Sequence, residues 1–418
     1  MRNTVSASQI RSNNPFTVRR EAGHARRSAL PDQLVEETAR HVAAAGLRYV
    51  RDADSGLTRR RRGSSFVYFD SSGTRIRHAP EIQRINSLAI PPAYIDVWIC
   101  PDPDGHIQAT ARDAKGRKQY RYHPRWQAVR SAAKFERLQA VGVALPRIRR
   151  RITALLRLPG MPREKVLAAL VQLLDLTLIR VGNDEYARLN RSYGLTTLLT
   201  RHVEVDGSTM HFEFNGKSGV AHRITLNHRG LARFVSDCLE IPGRELFQYL
   251  DDDQQPHSVS AGEVNAFLQS IAGPNFTAKD FRTWGASVLA MAALRKCSEA
   301  TPAHAKRNIV ETVKAVAEKL GNTPSVCRKS YVHPGLLDAY RTDPSSLQQS
   351  LRGRFVRGLR RDEAVLLEFL RTFNPADAPA AANASTPLSR VLRLRKRSQT
   401  TRNGYWTTGD PNARRIAA

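Results

Sequence analysis

Apolar positions Leu34, Val35, Val42 and Leu47 recur at helical spacing, which predicts a helix within residues 32–50. From about Ser64 the rhythm becomes that of strands. Phe66-Val67-Tyr68-Phe69 runs into Ser71-Ser72-Gly73, and Ile95-Asp96-Val97-Trp98-Ile99 ends at the turn signal Pro101-Asp102-Pro103-Asp104-Gly105. Ile107 to Arg112 and Arg117 to Tyr122 flank Asp113-Ala114-Lys115-Gly116, so a small, mostly antiparallel sheet domain is expected over about 36–123. From Trp126 to Thr372 helical periodicity dominates, interrupted by one strand-rich island at 201–226. No internal repeat is evident. The expected fold class is α+β, with a β-rich N-terminal domain and a mainly α domain (126–372) that carries a β-hairpin sheet.

Composition adds a partner. The 418 residues include 66 Lys+Arg against 38 Asp+Glu, a net charge of +28, and a protein so cationic is suited to a polyanion. Residues 1–35 hold Arg2, Arg11, Arg19, Arg20, Arg26 and Arg27 with little apolar rhythm and read as a basic, disordered arm. Glu21 and the missing amphipathic pattern weigh against a transit peptide. Residues 373–418 read as an Ala/Pro-rich linker followed by a cationic tail, with Arg390, Arg393, Arg395, Lys396, Arg397 and Arg402. No run approaches the ~18 apolar residues of a membrane span. Cys100, Cys238, Cys297 and Cys327 lack the spacing of a zinc module or a disulfide framework. Charge alone does not separate a nucleic-acid enzyme from a binder.

Gly216-Lys217-Ser218 suggests a phosphate-binding loop, but His211 stands where the first glycine of a P-loop belongs. Met210, Phe212 and Phe214 alternate before Asn215-Gly216, and a strand resumes from Val220 to Leu226, so Lys217 is expected at a hairpin tip. Taken alone, such a lysine is a solvated side chain. Arg180 follows the apolar stretch that ends at Ile179; it is either a rigid anion clamp or a structural partner of Asp184 or Glu185. Arg282, in Lys279-Asp280-Phe281-Arg282, is placed just before the N-terminus of a small-residue helix from Ala286 to Leu294, with Thr283 or Ser287 as caps. Gly321 ends a helix that begins near Ala303, and Thr323-Pro324 starts a short one that His333-Pro334 breaks. Tyr331 lies at its end beside Arg328 and Lys329. Asp251-Asp252-Asp253 reads as a solvated turn rather than a metal site.

Each signal is weak singly, but Arg180, Lys217, Lys279-x-x-Arg282 and Ser330-Tyr331 in this order resemble the type IB DNA topoisomerases of bacteria and poxviruses. These share a catalytic fold with tyrosine recombinases. The resemblance covers roughly Phe66 to Tyr340, including Leu88 to Tyr94 and Lys115 to Tyr120. It implies relaxation of duplex DNA by transient single-strand cleavage through a 3′-phosphotyrosyl link, with no ATP, cofactor or metal. Tyr331 would be the nucleophile, Arg180 and Arg282 the clamp on the non-bridging oxygens, and Lys217 the acid for the leaving 5′-oxygen. Poxvirus members have histidine nine residues before the tyrosine. Asn322 stands there, as it tends to in the bacterial branch, and can donate a hydrogen bond but no charge.

The resemblance further implies DNA contacts from Arg117, Gln119, Tyr120 and Tyr122, and from Asn183 and Tyr186. The alternation along 117–122 suggests one sheet face carrying its four into a groove; edge-strand packing of the tyrosines is the plain alternative. A monomeric clamp acting on the nucleoid in the cytoplasm is expected. The rival reading is a tyrosine site-specific recombinase, which usually has histidine where Lys279 stands. A basic nucleoid binder without catalysis explains the charge but not the ordered residues.

Overall fold

A computed structural model describes residues 32–297, 302–345, 347 and 356–373. The basic arm up to residue 31 and the tail from residue 374 lie outside the described residues. The chain divides into two compact units between His123 and Pro124.

The first unit opens with α1 (Asp32–Ala44), so the end of the segment assigned to the arm is helical. β1 (Leu57–Arg62) and β2 (Ser65–Phe69) precede α2 (Ala79–Ser87), and β3 (Ile95–Ile99), β4 (Ile107–Arg112) and β5 (Lys118–Tyr122) follow. The sheet is antiparallel, in the order β2-β1-β3-β4-β5. Its core gathers Leu57, Tyr68, Ile85, Val97, Ile99, Ala109 and Ala111. β1 escapes a hydrophobicity reading because it is Leu-Thr followed by four arginines. Those arginines are used structurally. Arg59 lies 4.1 Å from the Phe66 ring centroid and donates to the carbonyls of Ile90, Pro91 and Tyr94, while Arg60 lies 4.7 Å from the Phe69 centroid.

The second unit begins with α3 (Pro124–Glu136), α4 (Leu138–Leu155), α5 (Arg163–Thr177) and α6 (Asp184–Asn190). A three-stranded antiparallel sheet follows, β6 (Val203–Asp206), β7 (Thr209–Asn215) and β8 (Ala221–Asn227), and then α7 (Arg229–Leu239). β9 (Gln248–Leu250) and β10 (Pro256–Ser258) form a pair whose three-residue strands are too short to show a period. Asp251 sits in its turn, accepting from the backbone of Asp253 and Gln255 and from His257. The rest is helical: α8 (Ala261–Ala272), α9 (Ala278–Lys296), α10 (Pro302–Leu320), α11 (Pro324–Ser330), α12 (Pro334–Thr342) and α13 (Arg361–Thr372).

α5 is buried on nearly every side from Val166 to Thr177, as suits an apolar helix at the centre of a bundle. α4 approaches α9 closely because position 142 is glycine; a Cβ there would lie 2.4 Å from the Trp284 ring. One buried ion network ties three helices. Arg149 on α4 bonds Asp175 on α5 at 2.9 Å and Glu363 on α13 at 2.7 Å, and Trp284 donates to Glu363 at 3.4 Å. This scaffold fixes the ends of α5, α9 and α10, where the candidate site lies.

Candidate active site

Arg180 owes its position to how α5 stops. Leu178 takes the left-handed conformation at φ 58°, and its N–H closes on the Leu174 carbonyl. The chain then runs beside 194–196, with Leu195 N–H donating to the Arg180 carbonyl at 2.9 Å and Thr196 N–H to Val181 at 2.7 Å. Glycine at 194 permits this, since a Cβ there would meet the Arg180 carbonyl at 2.6 Å. The guanidinium donates from Nη2 to Asn322 Oδ1 at 2.5 Å, rather than to Asp184 or Glu185.

Arg282 departs from its expected location. Thr277 caps α9, its N–H and hydroxyl both donating to the Asp280 carboxylate at 2.8 and 2.9 Å, so the helix starts well before Ala286. Arg282 therefore lies inside α9, and no helix N-terminus assists it. Thr283 and Ser287 are not caps; their hydroxyls donate back to the Lys279 and Thr283 carbonyls. Arg282 is 4% exposed. It is held by the carbonyls of Leu178 and of Leu320, the latter at 2.8 Å, and so fastens the end of α5 to the end of α10. Burial, then repulsion from Arg180, draws its pKa down to about 10, which still leaves it charged at neutral pH.

Tyr331 follows α11, which Thr323 caps by accepting from Val326 N–H at 3.4 Å with Pro324 in the first turn. The Ser287 hydroxyl shares its one proton between the Thr283 and Tyr331 carbonyls, at 2.9 and 3.2 Å, and accepts from His333 N–H at 3.1 Å, holding the turn on both sides of the tyrosine. Arg282 Cζ lies 5.2 Å from the phenol ring centroid. Burial pushes the phenol pKa up, but the charge and hydrogen bond of Arg282, with Arg180 and Lys279, outweigh it, and the net shift is downward.

Asn322 enters from the end of α10 through Gly321 at φ +59°, where a Cβ would also strike His222 at 2.4 Å. Two buried donors of this cluster, Arg282 Nε and Asn322 Nδ2, have no hydrogen-bond partner among the described residues. Two guanidiniums beside one phenol, one of them bound to an amide, can bind the oxygens of a phosphate and favour a phenolate nucleophile.

Lys217 is not brought into hydrogen-bonding contact with this cluster. Strand pairing continues to Asn215 opposite Ala221, so the turn is the 216–220 loop and not a two-residue Asn-Gly turn. Ser218 at φ 65° and Gly219 at φ 74° make the reversal, and Lys217 stands exposed beside them with no partner among the described residues. Asn183 and Tyr186 lie at the start of α6, where Asn183 Oδ1 caps the helix by accepting from Tyr186 N–H at 2.9 Å.

In the first unit, Arg117 and Gln119 both donate to buried Asp113, at 2.7 and 3.0 Å. The expectation of one face carrying all four residues fails. Gln119 pairs with Ala111 and shares the core side, whereas Tyr120 and Tyr122 stack on the opposite side, with centroids 5.7 Å apart and planes 7° from parallel.

Residues 123–353 match the family described as the catalytic core of eukaryotic DNA topoisomerase I. Residues 65–113 match the N-terminal domain of bacterial DNA topoisomerase IB. The DNA topoisomerase 1B of Acanthamoeba polyphaga mimivirus is 32% identical over 297 residues, 69% of this chain and 88% of the relative. The chain belongs to the type IB DNA topoisomerase family. A more distant member, the DNA topoisomerase 1B of vaccinia virus (strain Copenhagen), is 24% identical over 230 residues, 54% of this chain and 70% of the relative.

Arg180, Lys217, Arg282, Asn322 and Tyr331 all fall within the stretch of this type IB topoisomerase that matches the catalytic core. Arg117 to Tyr122 fall between the two matched stretches. Two neighbours of the cluster went unread in the sequence. His222 on β8 stacks on Phe214 with centroids 5.1 Å apart, and burial, then Arg180 and Arg282, lower its pKa. Its one signal was strand alternation, which places it on the face of Phe214 and Ile224. Lys134 on α3 carries no motif at all, and only the fold brings it to Tyr331.

Proposed function

We propose that this type IB topoisomerase relaxes supercoiled duplex DNA, with Tyr331 as its nucleophile. The observation that carries the assignment is the convergence of Arg180 and Arg282 on Tyr331, with Asn322 bound to Arg180, from segments far apart in the chain. The phenol oxygen gives its proton to solvent water and forms a bond to phosphorus as the bond to the 5′-oxygen breaks. The 5′-oxygen takes a proton from Lys217, which reaches the phosphate by movement of its exposed loop. Arg180 and Arg282 meet the charge on the non-bridging oxygens, and Asn322 Nδ2 supplies a further donor. After the duplex swivels, the 5′-hydroxyl returns its proton to Lys217 and attacks phosphorus, resealing the strand, and the Tyr331 oxygen leaves and regains a proton from water. Bond energy is conserved throughout, so the cycle needs no ATP, and Arg180, Arg282 and Lys217 take the charge-stabilising place of a metal.

The finer assignments belong to the same proposal. The catalytic unit has the fold shared with tyrosine recombinases, and the protein is a monomer of the bacterial branch that works on the nucleoid. Arg117, Gln119, Tyr120, Tyr122, Asn183 and Tyr186 contact DNA outside the cleavage site. Tyr120, 44% exposed, is suited to lie against a sugar or base, while Asp113 presets the Arg117 guanidinium. Incubation with negatively supercoiled plasmid, in EDTA and without ATP, tests the reading. Wild type yields a ladder of topoisomers, and Tyr331→Phe yields none while binding the plasmid as well. A plasmid that is shifted but never relaxed by wild type would overturn it.

A further inference from the structure

Lys134 has no part in the chemistry above, yet its ammonium rests against the residue at the centre of it. Nζ donates to the carbonyl of Ser330, the peptide immediately before Tyr331. It lies 5.3 Å from the Tyr331 ring centroid and 4.6 Å from that of Phe135. No carboxylate pairs with it among the described residues. Holding a half-buried lysine without a counterion carries a cost, so its surroundings must stabilise it in another way. Here the compensation is local, because the last carbonyls of α11 lack helical partners and the carboxyl end of a helix favours a cation.

We propose that Lys134 is a positioning residue for Tyr331: its ammonium caps the carboxyl end of α11 and lies over the phenol ring, so cleavage requires Lys134 to keep its proton. The inference rests on Tyr331 being the nucleophile. The charged groups that face Lys134 are Lys279 and Asp280 on α9, Arg137 just beyond α3, and Arg282 across the phenol. Burial first, then repulsion from Lys279 and Arg137 against attraction from Asp280, lowers the ammonium pKa to about 8. The hold is complete well below that pH and is lost above it.

Two measurements test this. In the first, single-turnover cleavage of a saturating duplex is followed from pH 6.5 to 9.5. Wild type falls about tenfold between pH 8 and pH 9.5, Lys134→Arg shows no such fall because guanidinium keeps its charge, and Lys134→Met is slow throughout. Superimposable wild-type and Lys134→Arg profiles would overturn the proposal. The second measurement needs no cleavage. Only Ser192-Tyr193 and Ser330-Tyr331 are Ser-Tyr pairs, so carbonyl-¹³C serine with ¹⁵N tyrosine gives two correlation peaks in the full-length protein. The Ser330-Tyr331 peak should show a step near pH 8 in wild type that Lys134→Arg and Lys134→Met lack, ionisation of the Tyr331 phenol itself being common to all three. A peak that titrates alike in all three proteins, or in none, refutes the contact. Activity that survives Tyr331→Phe would instead refute the nucleophile assignment and leave this peak to judge Lys134 alone.

Discussion

Arg180 and Asn322 are bound to each other, Nη2 to Oδ1 at 2.5 Å, although 142 residues separate them. The amide oxygen thus orients the guanidinium, while Nδ2, without a partner among the described residues, remains a donor. Asn322→Ala should slow cleavage by about 10², the effect of losing one transition-state donor. Asn322→Asp should be slower still, because a carboxylate neutralises Arg180 and repels the phosphate. Single-turnover cleavage of the two variants at pH 7.5 gives the order, and an aspartate variant faster than the alanine one would contradict it.

Lys217→Ala should slow cleavage by roughly 10²–10⁴ with an ordinary oxygen leaving group. A substrate with sulfur at the bridging 5′ position leaves as a thiolate without needing a proton. Cleavage of that substrate by Lys217→Ala should approach the wild-type rate, whereas Arg282→Ala should gain little from the sulfur.

Arg149→Met removes the closer of two arginines that bridge Asp175 and Glu363, leaving them Arg360 at 3.3 and 3.4 Å. Stranding buried carboxylates costs about 3–5 kcal/mol. Thermal unfolding followed by circular dichroism should show the catalytic unit melting lower by roughly 6–12 °C. A shift below two degrees would mean that the network contributes little.

His333, the residue before α12, is enclosed by Phe135, Phe373 and Phe369 at centroid distances of 5.4, 5.7 and 6.3 Å. Burial lowers its pKa from 6.5 to about 4. The unfolded chain therefore binds the proton more readily, so stability is complete above pH 6.5 and is lost as the pH falls toward 4. The loss should reach about 2–3 kcal/mol by pH 4.5. Urea unfolding at pH 7.5 and 4.5 measures it, and His333→Phe should reduce the difference by about that amount.

How legible each feature was depended on how local its cause is. The three strands of 203–227, the short helix started by Thr323-Pro324 and the stop at Gly321 were readable, because alternation, capping and positive φ act over a few residues. β1 was not, since an arginine run forms a strand only when Phe66 and Phe69 cover it and carbonyls accept its donors. The start of α9 lies earlier than the small-residue run suggests, because the Asp280 carboxylate accepts from the N–H and hydroxyl of Thr277 and so caps the helix there.

By itself the sequence determined the chemistry at hand: a strongly cationic chain with Arg180, Lys217, Arg282, Asn322 and Tyr331 in an order that marks its family. Side-chain type and local order are properties of the chain, and they require no packing to be read. Only the tertiary structure decided what each group touches. It turned Arg180 to Asn322, buried Arg282 between two helix ends, left Lys217 outside and brought Lys134 against Tyr331. These contacts join segments up to 196 residues apart, and their energies come from burial and from carbonyls freed at helix ends, neither of which exists until the helices pack.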